Sequence, residues 1–110
     1  MTNPTDEPFN HQEIDERIRD LVVDLNRNGY ITASSCQGRT KKGDEHTPHA
    51  FISFERKLSK AFMHQVESHG LNVYNGCISI STPVYEDTPE DEAVAVNTSF
   101  VGVMRTLFKI

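Results

Sequence analysis

Apolar residues recur along this chain with two different periods, and the change between them marks the elements. Ile14, Ile18, Leu21, Val22 and Leu25 fall at helical spacing, with polar residues between them. That stripe predicts an amphipathic first helix over 11–27. Asn10 is its candidate N-cap, Glu13 the capping-box partner three residues on, and Asn28-Gly29 the stop. Tyr30 to Ser35 then reads as a strand, Gln37 to Pro48 as a long polar loop, and His49 to Phe54 as a second, alternating strand. The two strands form a hairpin with a long tip, and loops of that length in small domains are commonly functional.

Leu58, Ala61, Phe62 and Val66 predict the inner stripe of a second helix over Arg56 to Ser68, closed by Gly70. Leu71 to Thr82 is extended, with Ile78 and Ile80 on one side and Cys77, Ser79 and Ser81 on the other. Asn75-Gly76 is a candidate bulge or turn that would break it in two. An acidic loop, VYEDTPEDE, leads through Thr88-Pro89 into a last helix with proline at its first position. Val94, Phe100, Val101, Met104, Leu107 and Phe108 would be its buried side, although AVAVNTSFVGV also reads as strand. The order α-β-β-α-β-α predicts an α+β two-layer sandwich, with three helices over one face of a small, mostly antiparallel sheet. The other face must then meet solvent, a ligand or another subunit.

At 110 residues the chain is one domain's worth, read as a flexible arm over 1–9 and a single domain over 10–110. Its net charge of −5 and scattered cations argue against a nucleic-acid partner. The one basic cluster, Arg39, Lys41 and Lys42, suits a small anion. No apolar run is long enough for a bilayer, and MTNPTDEPFN lacks the order of a secretory signal. Cys36 and Cys77 are therefore expected to be reduced thiols of a cytoplasmic protein.

ITASSCQGR, at 31–39, is poor core material, and its chemistry suggests a ligand-facing strand end. Alternation would place Thr32 and Ser34 on one side and Ala33 and Ser35 on the other. Serine hydroxyls and free amides at Ser34, Ser35, Cys36 and Gln37 could form a nest for phosphate or carboxylate. Gly38 permits a close approach, and Arg39 adds a fixed, forked charge. The competing reading is a Ser-rich turn that caps its own backbone. His46 and His49 flank the hairpin tip as ligand contacts or solvated loop residues, and Asn75 is a base contact or an ordinary turn. Cysteine catalysis at Cys36 would need a neighbouring base. The spacing of Cys36, His46, His49 and Cys77 matches no standard zinc site, so no metal is expected.

DERIRDLVVDLNRNGYITASSCQGR resembles the tRNA wybutosine-synthesizing protein 3 family, in which a helix ending in Leu-Asn precedes a strand running into Ser-Ser-Cys-Ser-Gly-Arg. The matching positions are Ser34, Ser35, Cys36, Gly38 and Arg39, with Gln37 in place of the serine. The similarity extends through HAFISF, LSKAFMHQVESHG and NGCISIST, covering roughly 15–82. It implies an S-adenosylmethionine-dependent methyltransferase acting on tRNA, with Ser35, Cys36 and Arg39 at the ligand site. The chain departs from the family in its short length, its acidity and Ile80 where an arginine is expected. Fold and pocket therefore transfer more readily than substrate or reaction.

The first expectation is a binding domain for a nucleotide or nucleoside-like anion, its pocket closed across a homo-oligomer interface. Viral proteins that sequester signalling nucleotides from bacterial defence are of this type. The alternatives are an S-adenosylmethionine-dependent RNA methyltransferase and a protein-interaction module without a small ligand.

Overall fold

The computed structural model describes residues 14–82, 84 and 87–110. The expected arm, Asn10 and Glu13 lie outside this set. A short 3-10 turn, Glu16–Ile18, leads into α1, Arg19–Arg27. β1 (Thr32–Cys36) and β2 (His49–Phe54) follow, then α2 (Lys60–Ser68), β3 (Asn72–Tyr74), β4 (Cys77–Ser81) and α3 (Glu90–Phe108). The sheet is antiparallel in the order β1-β2-β4-β3. The two-layer α+β expectation holds, with one difference. The third extended segment is two strands, because Asn75 and Gly76 both take positive φ and fold it into a tight hairpin.

Three local expectations are corrected. The second helix starts at Lys60 rather than Arg56, because the Ser59 hydroxyl accepts the Phe62 amide and caps it there. Ala61, placed on its inner stripe, is exposed. Pro89 is the N-cap of α3 rather than its first residue, and the run with strand-like alternation is helical throughout. There, tertiary packing overrides β-propensity.

The core lies between the helices and one sheet face. Ile18, Leu21, Val22 and Leu25 meet Phe100, Met104, Leu107 and Phe108 of α3, Val66 of α2, and Ala50, Ile52 and Ile78 of the sheet. Two chain reversals fix how α1 and α2 feed their strands. After α1, Gly29 is left-handed, its amide bonds Asn26 O and the Tyr30 amide bonds Leu25 O. Gly70 repeats this arrangement after α2, with Leu71 bonding Val66 O. Asn26 adds a further lock. Its Nδ2 donates to Thr32 Oγ1 at 3.0 Å while its Oδ1 accepts the Thr32 amide at 3.2 Å. The Leu25-Asn26 pair thus joins a core contact to the start of β1.

No helix among the described residues is long and apolar enough to cross a membrane. Phe100→Ala is expected to cost about 3–5 kcal/mol in urea unfolding, since its side chain is fully buried. Tyr74→Ser, at a side chain 78% exposed, should change stability by less than about 0.5 kcal/mol.

Candidate functional site

A bulge sorts the strand residues of the motif. Thr32 pairs with Phe54 but Ser34 pairs with Ser53, so Ala33 is the extra residue and Thr32 and Ser34 face opposite sides. This corrects the simple alternation. Thr32 and Ser35 turn toward the helices. Ser34 and Cys36 turn to the uncovered face, in register with Ser53 and Phe51, which in turn lie opposite Cys77 and Ser79 of β4. That face is small and polar around a half-buried Phe51, with His49 and Ser81 at one end and Tyr74 at the other edge.

Beyond Cys36 the chain passes between the sheet end and the helices. Gln37 is buried and committed at three points. Its amide donates to Asp15 Oδ2 at 2.9 Å, its Oε1 accepts the Arg17 amide at 3.1 Å, and its carbonyl accepts from Asn97 Nδ2 at 2.8 Å. Gly38 follows with φ +79, and a Cβ there would lie 2.5 Å from Thr82 Oγ1 and 2.8 Å from the Ala50 amide. Its amide is 3.4 Å from Cys36 Sγ. The Arg39 amide then donates to Thr82 Oγ1 at 3.0 Å, and its Nε to the His46 carbonyl at 3.0 Å.

Asp44 organises the tip. Its carboxylate accepts from the Thr40 amide, the Thr40 hydroxyl, the His46 amide and His46 Nδ1. His46 Nε2 lies 3.3 Å from Asp15 Oδ1, so the imidazole bridges the loop to the start of the first helix. Burial alone would raise the Asp44 pKa. The amides of His46 and Thr40 and the His46 ring more than offset this and hold it at about 2. His46 is raised above its ordinary value, first by the hydrogen bond to Asp44, against burial, and then by the charges of Asp15 and Asp44. The Thr47 hydroxyl donates to the His49 carbonyl and sits 3.3 Å from Cys36 Sγ. A depression of about 480 Å³ lies over Lys41, Gly43 and His46.

The motif therefore divides. Thr32, Cys36, Gln37, Gly38 and His46 are tied into the fold. Ser34 and His49 are exposed, Ser35 is half-buried on the helix side, and Arg39 is partly exposed. Asn75, in the β3–β4 turn beyond the Phe54 end of β2, is at the other end of the sheet and does not join them. Both His46 nitrogens meet carboxylates, so this ring is not a base for Cys36. Cys36 and Cys77 are free thiols, and no group of three or more acidic, histidine or cysteine side chains among the described residues could hold a metal ion. Sequence reasoning missed Asp15, Asp44, Thr82 and Asn97. Asn97 alone left a signal, since it falls on the stripe of Ala93, Phe100, Met104 and Leu107 that α3 buries.

Two outcomes test this construction. The His46 contribution to stability is complete below about pH 6.5 and is lost as pH rises through its higher folded value. Asp44 contributes above its ordinary 3.8 and loses this as pH falls through about 2. The thermal midpoint of the native protein should therefore drop between about pH 6 and about pH 9 more than that of His46→Gln. Nuclear magnetic resonance titration of the ring gives the direct check. In a second comparison, Gly38→Ala should cost about 3 kcal/mol or more, because both its φ and the space around it forbid a side chain. Gly29→Ala, at φ +88 but with nothing within 4 Å, should cost only about 1 kcal/mol.

Compared with protein-family models, with curated proteins and with solved structures, the chain matches none.

Proposed function

We propose that the protein binds a small, anionic, nucleotide-like molecule at the β1–β2 loop end of the sheet, and holds it without transforming it. Arg39 carries this reading. Its Nε is anchored to the His46 carbonyl, while its terminal guanidinium nitrogens bond nothing among the described residues. A guanidinium held on one edge and open on the other is a preformed fork for phosphate or carboxylate. Lys41 is exposed on the same loop, His49 offers a donor at the start of β2, and Ser34 offers another farther along the open face. The half-buried ring of Phe51, among the hydroxyls of Ser34, Ser53 and Ser79, gives a planar base a surface to lie on. A second copy of the chain over this face would complete the enclosure.

Retention rather than reaction follows from the commitments of Cys36 and His46. Both serve the loop, which leaves the exposed His49 as the uncommitted imidazole at that end. The net charge of −5 favours a small anion over an RNA. The resemblance to wybutosine methyltransferases implies a ligand at Ser35, Cys36 and Arg39, of which Arg39 is the one this reading keeps, and it makes S-adenosylmethionine the competing ligand.

The test is mass spectrometry of molecules released on denaturation, followed by calorimetric titration with linear and cyclic nucleotides and S-adenosylmethionine. A nucleotide recovered unchanged is the expected result. Arg39→Ala should weaken its binding at least about tenfold, and Arg39→Lys should not restore it, because the fork is lost. The folding cost of Arg39→Ala should stay near about 1 kcal/mol, the worth of one hydrogen bond. Binding of S-adenosylmethionine alone would transfer the reading to a methyltransferase, and no ligand in either assay would favour an interaction module.

A further inference from the structure

The opposite end of the sheet holds a second cavity of about 380 Å³, between the start of β1, the end of β2 and the start of α2. We propose that this cleft binds a small aromatic anion, a fused or linked ring system bearing a carboxylate or sulfonate.

Its wall is a cluster of rings. Phe108 meets Tyr30 edge-on at 4.8 Å, stacks on Phe54 at 5.2 Å and tilts against Phe62 at 4.8 Å. All four rings line the cavity. Tyr30 is 41% exposed, one of two large hydrophobic side chains left open to solvent among the described residues. A further ring entering the cleft would extend an edge-to-face array already in place, and such contacts add to the burial of apolar area.

Charge selects the ligand. Arg56 and Lys57 stand on the rim, both exposed and neither in an ion pair with any described residue. Two free cations beside an apolar cavity orient an amphipathic anion, with its ring inward and its acid at the mouth. In a chain of net charge −5 they also make this mouth a locally favourable place for an anion. The volume is at the low end for small-molecule sites, about 300–1,000 Å³, and suits one or two rings rather than a docked helix. The cleft is separated from the β1–β2 loop by the length of β1, and its occupation does not depend on the nucleotide reading.

The probe is 2-naphthalenesulfonate added to the folded protein, followed by amide chemical shifts and fluorescence. Saturable one-to-one binding is expected, with shifts at Tyr30, Leu58 and Phe62 and none over Gln37–Thr47. The double variant Arg56→Ala/Lys57→Ala, at exposed positions that leave the fold intact, should weaken the sulfonate about fivefold while leaving the neutral probe 2-naphthol unaffected. Tyr30→Ala should weaken both probes. Shifts elsewhere, no saturation, or a sulfonate affinity indifferent to the double variant would overturn the proposal. So would shifts at the same residues on dilution without probe, which would identify the cleft as a contact between copies.

Discussion

One buried amide residue holds the two layers in register. Gln37 receives the Arg17 amide, gives its own amide to Asp15 and takes the Asn97 side chain on its carbonyl. Through these bonds the end of β1 is fixed to the start of the first helix and to the middle of α3. All three contacts lie in a partly or fully dry environment, where a lost partner leaves a polar group unsatisfied. No buried side-chain polar atom among the described residues lacks a partner. The course of the loop depends on this clasp. With Gln37 fixed, Gly38 must cross against Ala50 and Thr82, where there is no room for a side chain.

The clasp also explains the division of labour within the motif. A stretch rich in serine, cysteine and glutamine looks like a ligand nest, yet the polar groups of Thr32 and Gln37 serve the protein itself. Tertiary hydrogen bonds, rather than local capping by the serines, take up these groups. Local capping falls to Cys36, whose sulfur lies 3.4 Å from the Gly38 amide. The ligand reading rests on Arg39 and the exposed Ser34 and His49. His46 belongs to the loop, because Asp44 and Asp15 grip its ring from both sides. A charged ring there ties the tip to the first helix, so this contact weakens when the ring loses its proton.

The two ends of the sheet differ in character for a simple reason. At the motif end the chain crosses the strand termini and fills the space between layers with polar groups. At the other end α1 meets the sheet through the left-handed turn at Gly29 and α2 begins at its serine cap, leaving aromatic rings and a cavity. Between them lies an uncovered face of small polar side chains around Phe51.

The sequence by itself determined most of the architecture. The helical stripe of Ile18, Leu21, Val22 and Leu25, the alternation of β2 and the glycines at 29 and 70 are local signals, and each appears where its period or turn chemistry requires. Short-range errors arose where a single residue changed the local rule, at the bulge at Ala33 and the cap at Ser59, while the Asn75-Gly76 signal does mark a turn. The partners of the motif were decided only by the tertiary structure. Asp15 is 22 residues from Gln37 and Asn97 is 60, and nothing local links them. Periodicity reports which face of an element is apolar, because burial acts on every turn or every second residue. A hydrogen bond between distant residues leaves no period, so whether a polar side chain meets ligand or protein becomes visible only when the layers close.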